Sequence, residues 1–300
     1  MSLNKPIWKL RDCIDINKIV NWSYLSENPN AIQLLEANPD KINLSKLSRN
    51  PNAINLLERN FDKIDWCELS KNPNAIHLLE RNLDKIHWGF LSGNPNAIKL
   101  LEKNKDKINW YMLSANPNAI KLLEENRDKI NWCQLSKNPN AIHLLERNLD
   151  KIDWMSLSKN PNAIKLLEEN CDKIYWSYLC LNPNAIHLLE KNLDKIRWDL
   201  LAINPNAIDI LKQNKNKNYW YNWIVINPRI FEIIDNKYLN ENNQFEWKLL
   251  LQNPSIFELD YEAMRKKNQE MYEELIKEVM KPSRVFKNPD YDYLEELFGD

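Results

Sequence analysis

The sequence predicts an all-α fold: a superhelical solenoid of 22-residue two-helix repeats, each an α-helix followed by a short α- or 3-10 helix, with N- and C-terminal caps. Three observations carry this. The pentapeptide Asn-Pro-Asn-Ala-Ile begins at Asn28, Asn50, Asn72, Asn94, Asn116, Asn138, Asn160, Asn182 and Asn204, an unbroken spacing of 22 residues. Self-similarity at a fixed period of this size marks stacked repeat architectures. The 300-residue chain has no Thr, four Val and three Gly (Gly89, Gly93, Gly299), so it lacks the β-branched residues and turn glycines that sheets and hairpins use. Apolar residues recur at helical spacing in every copy.

The copy that begins at Asn72 shows the expected elements in order. Asn72 suits a helix N-cap and Pro73 the first helical position, where a missing N–H costs nothing. Ala75, Ile76, Leu78 and Leu79 form one apolar stripe, giving a helix of about ten residues over positions 73–82. Asn82 stands where glycine usually reverses the chain. Lys85-Ile86 reads as extended chain with Ile86 turned inward. The next position holds Asp65, His87, Asn109, Asn131 and Asp153 in successive copies, mostly N-cap types, and Glu68 completes a capping box with Asp65. Trp66 with Leu69, and Trp110 with Leu113, share a face of one α- or 3-10 turn. The following Asn-Pro limits this second helix to roughly two turns. A ten-residue helix is marginal in water, so the seven apolar residues of each unit must be buried between units.

Organisation follows from the spacing. Residues 1–27 read as an N-terminal cap and partial repeat, with Lys18-Ile19-Val20-Asn21-Trp22 a stretched copy of the Lys-Ile-x-Trp element. Residues 28–226 hold nine regular repeats. Residues 227–258 hold two degenerate ones, led by Asn227-Pro228-Arg229-Ile230 and Asn253-Pro254-Ser255-Ile256. Residues 259–300 read as a C-terminal helical cap and acidic tail. There Leu259, Met264, Met271, Leu275 and Val279 predict a longer amphipathic helix, and residues 285–298, with Asn288-Pro289, a further half-unit.

The charge is balanced, 41 basic against 42 acidic side chains, and residues 227–300 are more acidic than the body. That balance gives no global attraction to nucleic acid or anionic lipid. No Gly-rich phosphate loop is present. Cys13, Cys67, Cys133, Cys171 and Cys180 are odd in number and without CxxC pairing, as expected of reduced cytoplasmic thiols. The start, MSLNKPIWKL, has no apolar leader core, and no stretch predicts a membrane span.

Alternating α and very short helices in a unit just over twenty residues long resemble the leucine-rich-variant type of solenoid in architecture. The motif Asn-Pro-Asn-Ala-Ile-x-Leu-Leu-Glu followed by Asp-Lys-Ile-x-Trp-x-x-Leu-Ser resembles the short-repeat proteins of giant DNA viruses of the Mimivirus and Megavirus kind, over about residues 17–213. The tail beyond Asn227 departs from it. The resemblance implies a viral protein of the host cytoplasm or viral factory and supplies no activity.

Positions that stay constant between units report on folding, and positions that vary are where a binding surface is written. One variable set lies on the outer face of the first helix and makes a basic stripe: His77, Arg81, Lys99, Lys103, Lys121, His143, Arg147 and Lys165. It suits phosphates or an acidic partner, or is a solvated face neutralised by Glu36, Glu58, Glu80 and their equivalents. The second set follows the Trp. Tyr24, Phe90, Tyr111, Met112, Met155 and Tyr178 form a discontinuous aromatic groove if the second helix lines the concave side, or else pack partly onto neighbouring units. His77, His143 and His187 are too far apart in a stack to share a metal. Asp62, Asp84, Asp106 and their equivalents recur in every unit, whereas a catalytic dyad needs one special place. No catalytic residue, metal or cofactor is therefore expected. The leading expectation is a non-enzymatic scaffold for a protein partner. The alternatives are a modular nucleic-acid-binding solenoid, which the charge balance disfavours, and a self-assembling virion component in which the acidic tail meets a basic stripe, making a homo-oligomer.

Overall fold

A computed structural model of the chain describes residues 6–15, 22–214, 224–232 and 247–279. The predicted Lys-Ile-x-Trp element at residues 18–21 and the predicted half-unit at 285–298 lie outside these residues. The chain divides into two compact units: Leu10–Phe257, which holds the repeats, and a smaller one of Met1–Lys9 with Glu258–Asp300. The larger is an all-α repeat solenoid. In the Asn72 repeat the chain runs through a turn, a first helix Ile76–Glu80, a 3-10 turn Leu83–Lys85 and a second helix Trp88–Ser92. The same order recurs down the chain. Among the described residues no helix is long and apolar enough to cross a membrane.

The first helix is half the predicted length, and the reason lies in Asn72. It does not cap the helix; the N-cap is Ala75, with no side-chain bond. Its Oδ1 takes the N–H of Asn74, 3.0 Å away, which closes an Asx turn and holds the backbone out of the helix for three more residues. Its Nδ2 points across to the preceding unit, donating to the carbonyls of Ser48 at 3.1 Å and Asn50 at 2.9 Å. Asn74 adds a further bond to the carbonyl of Pro51 at 2.9 Å. Asn72 thus satisfies both its donors and its acceptor while buried.

The end of the first helix also differs from expectation. Asn82 has φ −138°, and no described non-glycine residue has positive φ. Instead its Nδ2 donates back to the carbonyl of Leu78 at 2.9 Å, so the amide closes the helix that a left-handed residue was predicted to close. The predicted N-caps of the second helix are present, but the capping box at Asp65 is only half made: Asp65 gives its N–H to Ser48 Oγ, and the Glu68 carboxylate turns to Lys71 and Arg49. Asp65 accepts from the N–H groups of Cys67 and Glu68, and Asn109, Asn131, Asp153 and His87 each accept one backbone N–H. Burial raises the Asp65 pKa, but the bonds from the Ser45 hydroxyl and those two N–H groups, with Lys71 nearby, outweigh it and leave the carboxyl below its ordinary range. This cap therefore stabilises the fold above that range and is lost as pH falls through the lowered pKa.

The last serine of each second helix makes the next link. Ser70 Oγ donates to the carbonyl of Trp66 and accepts the N–H of His87 in the following unit at 3.0 Å. The arrangement recurs from Ser26 to Ser158. Cys180 then takes the position; its buried thiol has a raised pKa and stays protonated. A third link is electrostatic. The lysine of the Asp-Lys-Ile triplet lies over the indole of the preceding unit, as in Lys107 over Trp88 and Lys129 over Trp110, both 4.7 Å from the ring centre. The core between units is Ala75, Leu78, Leu79, Ile86 and Leu91 with their equivalents. Ile76 and Trp88, predicted with them, are half-buried.

The asparagine rungs run without a break through Asn28, Asn50, Asn72, Asn94, Asn116, Asn138, Asn160, Asn182, Asn204, Asn227 and Asn253, none more than 4 % exposed. They also close. Asn28 Nδ2 donates to the carbonyls of Leu251 at 2.9 Å and Asn253 at 3.0 Å, and Asn30 Nδ2 to that of Pro254 at 3.1 Å. These are the bonds Asn50 and Asn52 make to the unit before them. The first repeat therefore stacks on the last, with helix Trp22–Glu27 packed on helix Trp247–Gln252, and the repeats form a closed ring of eleven. Arg11 joins the seam by donating its backbone N–H to Ile256 and its Nε to the carbonyl of Ser255.

In the smaller unit, helix Tyr261–Val279 is capped by Asp260, which accepts the N–H of Ala263 at 2.9 Å. It exposes Tyr261, Met271, Tyr272, Leu275 and Ile276.

The rungs make a testable demand. Asn116→Ala removes two donors and one acceptor from a buried site and is expected to cost about 2–4 kcal/mol in urea unfolding. Asn116→Asp keeps the acceptor but sets a carboxylate against two carbonyl oxygens, and should cost more at neutral pH. A loss below about 1 kcal/mol in both would show that the rung does not hold the units.

Candidate functional site

The closest approaches between neighbouring units are made second helix to second helix, as in Trp22–Glu27 against Leu44–Ser48 and Trp132–Lys137 against Trp154–Ser158, and no pair of first helices packs as closely. In a curved stack the closely spaced elements lie inside the curve. The second helices therefore line the inner side of the ring, and the first helices face out.

On the outer side all eight residues of the basic stripe, His77, Arg81, Lys99, Lys103, Lys121, His143, Arg147 and Lys165, are exposed. Carboxylates accompany them. His77, His143 and His187 sit 3.4, 3.2 and 3.0 Å from Glu58, Glu124 and Glu168 of the preceding units, Lys165 lies 3.9 Å from Glu169, and Arg59 lies 3.7 Å from Glu36. Acid and base alternate along the face, which lowers its pull on a polyanion. Among the described residues no group of three or more His, Cys, Asp and Glu side chains is placed to hold a metal ion.

On the inner side the six aromatic-groove residues separate into two kinds. Tyr24, Phe90, Met112 and Tyr178, two positions after the Trp, are half-buried. Three of these rest on the unit before: Lys71 Nζ stands 3.9 Å above the Phe90 ring, Lys159 Nζ 4.2 Å above that of Tyr178, and Met112 covers Gly93. Tyr111 and Met155, one position after the Trp, are 52 % and 40 % exposed. Gln134 Nε2 donates to the Tyr111 hydroxyl and so steadies the ring. The six are separate points on a column that changes character along the ring.

The column includes a position that sequence reasoning missed, the residue just before each Asn-Pro. Glu27, Arg49 and Lys71 occupy it in the early units and join Lys46 and Glu68 in a charged cluster, with Arg49 2.9 Å from Glu27 and Lys71 2.7 Å from Glu68. Gly93 and Ala115 occupy it next and leave an apolar stretch around Phe90, Tyr111 and Met112. Lys137 and Lys159 follow. Their signal was available: these residues vary between copies and lie three positions after the second variable one, on the same helical face. Two exposed rings were also missed because they occupy a cap position. His87 stacks on Phe90 at 4.2 Å, and Tyr175, with no cap bond to make, is 48 % exposed. At Arg197 the same position holds a two-bond pair with Asp199 at 3.1 and 2.8 Å, which lowers the aspartate pKa.

No protein-family model matches the chain, and neither a curated protein nor a solved structure is similar to it.

Surface and scaffold roles separate by mutation. Tyr111→Ala removes an exposed ring and the hydroxyl that takes the Gln134 bond, and should cost no more than about 1 kcal/mol. Trp110→Ala, which removes both apolar cover and the partner of Lys129, should cost about 2–3 kcal/mol. Equal costs in denaturant unfolding would place Tyr111 in the fold rather than on a binding face.

Proposed function

We propose that the protein is a non-enzymatic scaffold that binds a protein partner along the column of second helices. One observation carries this reading: among units that repeat nearly residue for residue, the column offers a locally distinct patch of exposed aromatic and Met side chains. There Tyr111 is 52 % exposed on the unit that follows Gly89 and Gly93, Met112 covers Gly93, and His87 stacks on Phe90. Exposed aromatic and Met side chains beside small residues are what protein recognition uses, and repeat solenoids present such surfaces without chemistry of their own. The flanking charged cluster at Glu27, Lys46, Arg49, Glu68 and Lys71 supplies a polar rim. The carboxylates set beside the outer stripe speak against a modular nucleic-acid binder. The motif wording supports a viral origin, and on that reading the partner is a host or viral protein met in the cytoplasm.

The combined substitution Tyr111→Ala, Met112→Ala and Tyr178→Ala should lower recovery of partners in a pull-down from host cytosol at least tenfold. Lys99→Glu with Lys121→Glu on the outer stripe should leave recovery unchanged. Unchanged partners with the triple variant, shown folded by circular dichroism, would overturn the column as the binding face.

A further inference from the structure

Eight of the nine second helices from Trp22 to Trp198 begin with tryptophan, and one begins with Leu44. Seven of those indoles carry a lysine from the next unit 4.3–4.8 Å above the ring centre: Lys41, Lys85, Lys107, Lys129, Lys151, Lys173 and Lys195. Lys63 is the member of this series that faces Leu44. Its ammonium meets no ring, carboxylate or hydrogen-bond acceptor among the described residues.

The place of the missing indole has stayed open. A cleft of about 430 Å³ lies there, lined by Leu44, Ile42, Leu56 and Lys63, with the Arg59 and Glu36 pair at its edge. Ile42 is only partly buried, whereas its equivalents Ile64, Ile86, Ile108, Ile130, Ile152, Ile174 and Ile196 are 7–8 % exposed. The neighbouring units have not closed over the gap because the asparagine and serine rungs on either side keep the ordinary spacing.

We infer that this cleft is a binding site for one indole-type aromatic ring. The rest of the ring of repeats supplies the template. Ile42, Leu44 and Leu56 give the cleft an apolar side, Lys63 lines it as the equivalent of the seven lysines that meet a π face, and the volume falls within the roughly 300–1,000 Å³ of small-ligand clefts. Arg59 pairs with Glu36, and Asp40 shares the lining with Lys63, so the cleft carries no net charge and favours a neutral ring over an anion. Leu44 is the one residue of the second-helix column that lines the cleft, and none of the exposed positions on which the scaffold reading rests takes part, so this inference does not depend on that reading.

The test titrates the full chain with indole and with N-acetyl-tryptophanamide, followed by NMR shifts and thermal unfolding. Saturable binding with a Kd on the order of millimolar is expected for so small a ligand. Leu44→Trp should abolish it and raise the thermal midpoint by a few degrees, because the chain then fills its own vacancy. Lys63→Ala should keep the fold and weaken binding about two- to fivefold. Tighter binding of the amide would identify a tryptophan side chain of a polypeptide as the source of the ring, and binding of indole alone a free small molecule. Absence of saturable binding to the wild type overturns the assignment. So does undiminished binding in Lys63→Ala, which decides the matter even if Leu44→Trp does not fold.

Discussion

A buried primary amide holds this protein together. Asparagine offers two N–H donors and a carbonyl acceptor on one methylene, and in the rung at Asn72 all three are used, two to the unit before and one to its own turn. Aspartate could not donate, serine has one donor, and glutamine would reach too far. Burying such a group without partners costs several kcal/mol, so each rung fixes both the local turn and the spacing to the neighbour. That explains which residues survive drift. In the units led by Asn227 and Asn253 the second asparagine and the alanine are replaced, yet the lead asparagine keeps both inter-unit bonds.

Closure follows from repeating one rung geometry eleven times. A linear solenoid leaves an apolar face and a row of unmet carbonyls at each end, and its terminal units are its weakest. Here Asn28 finds on Leu251 and Asn253 the acceptors that every other rung finds on the unit before it. Curvature then has a functional consequence. It brings the second helices together on the inner side, where residues that do no structural work can vary and face a common space.

Much of this was legible in the residues, and the remainder was hidden for identifiable reasons. The period, the all-α class and the caps at Asp65, Asn109 and Asp153 are local patterns, and local patterns can be read along a chain. Asn72 was misassigned as a helix cap because a cap and an inter-unit amide call for the same side chain in the same place beside proline. Only the position of the preceding carbonyls separates them. The ring was not legible, since its cause is a small rotation per unit that no single copy displays. The persistence of Asn-Pro at 227 and 253 was its one trace. On the binding side the positions after each Trp were visible as variable, whereas the residue before each Asn-Pro was overlooked. The substitution at Leu44 is plain among the copies, but the cleft it leaves is defined by lysines such as Lys107 and Lys129 lying over indoles of the preceding unit, a contact between units that no single copy displays.

Closure is tested most directly by native-state hydrogen exchange resolved along the chain. If the ring is closed, amides flanking the seam, such as those of Leu25, Leu35 and Leu250, are protected to the same degree as those of Leu113 and Leu123 in the middle. If the stack is open, protection falls off progressively toward both ends, with Leu25 and Leu250 exchanging orders of magnitude faster than Leu113. That gradient would contradict the continuous asparagine ladder on which this account rests.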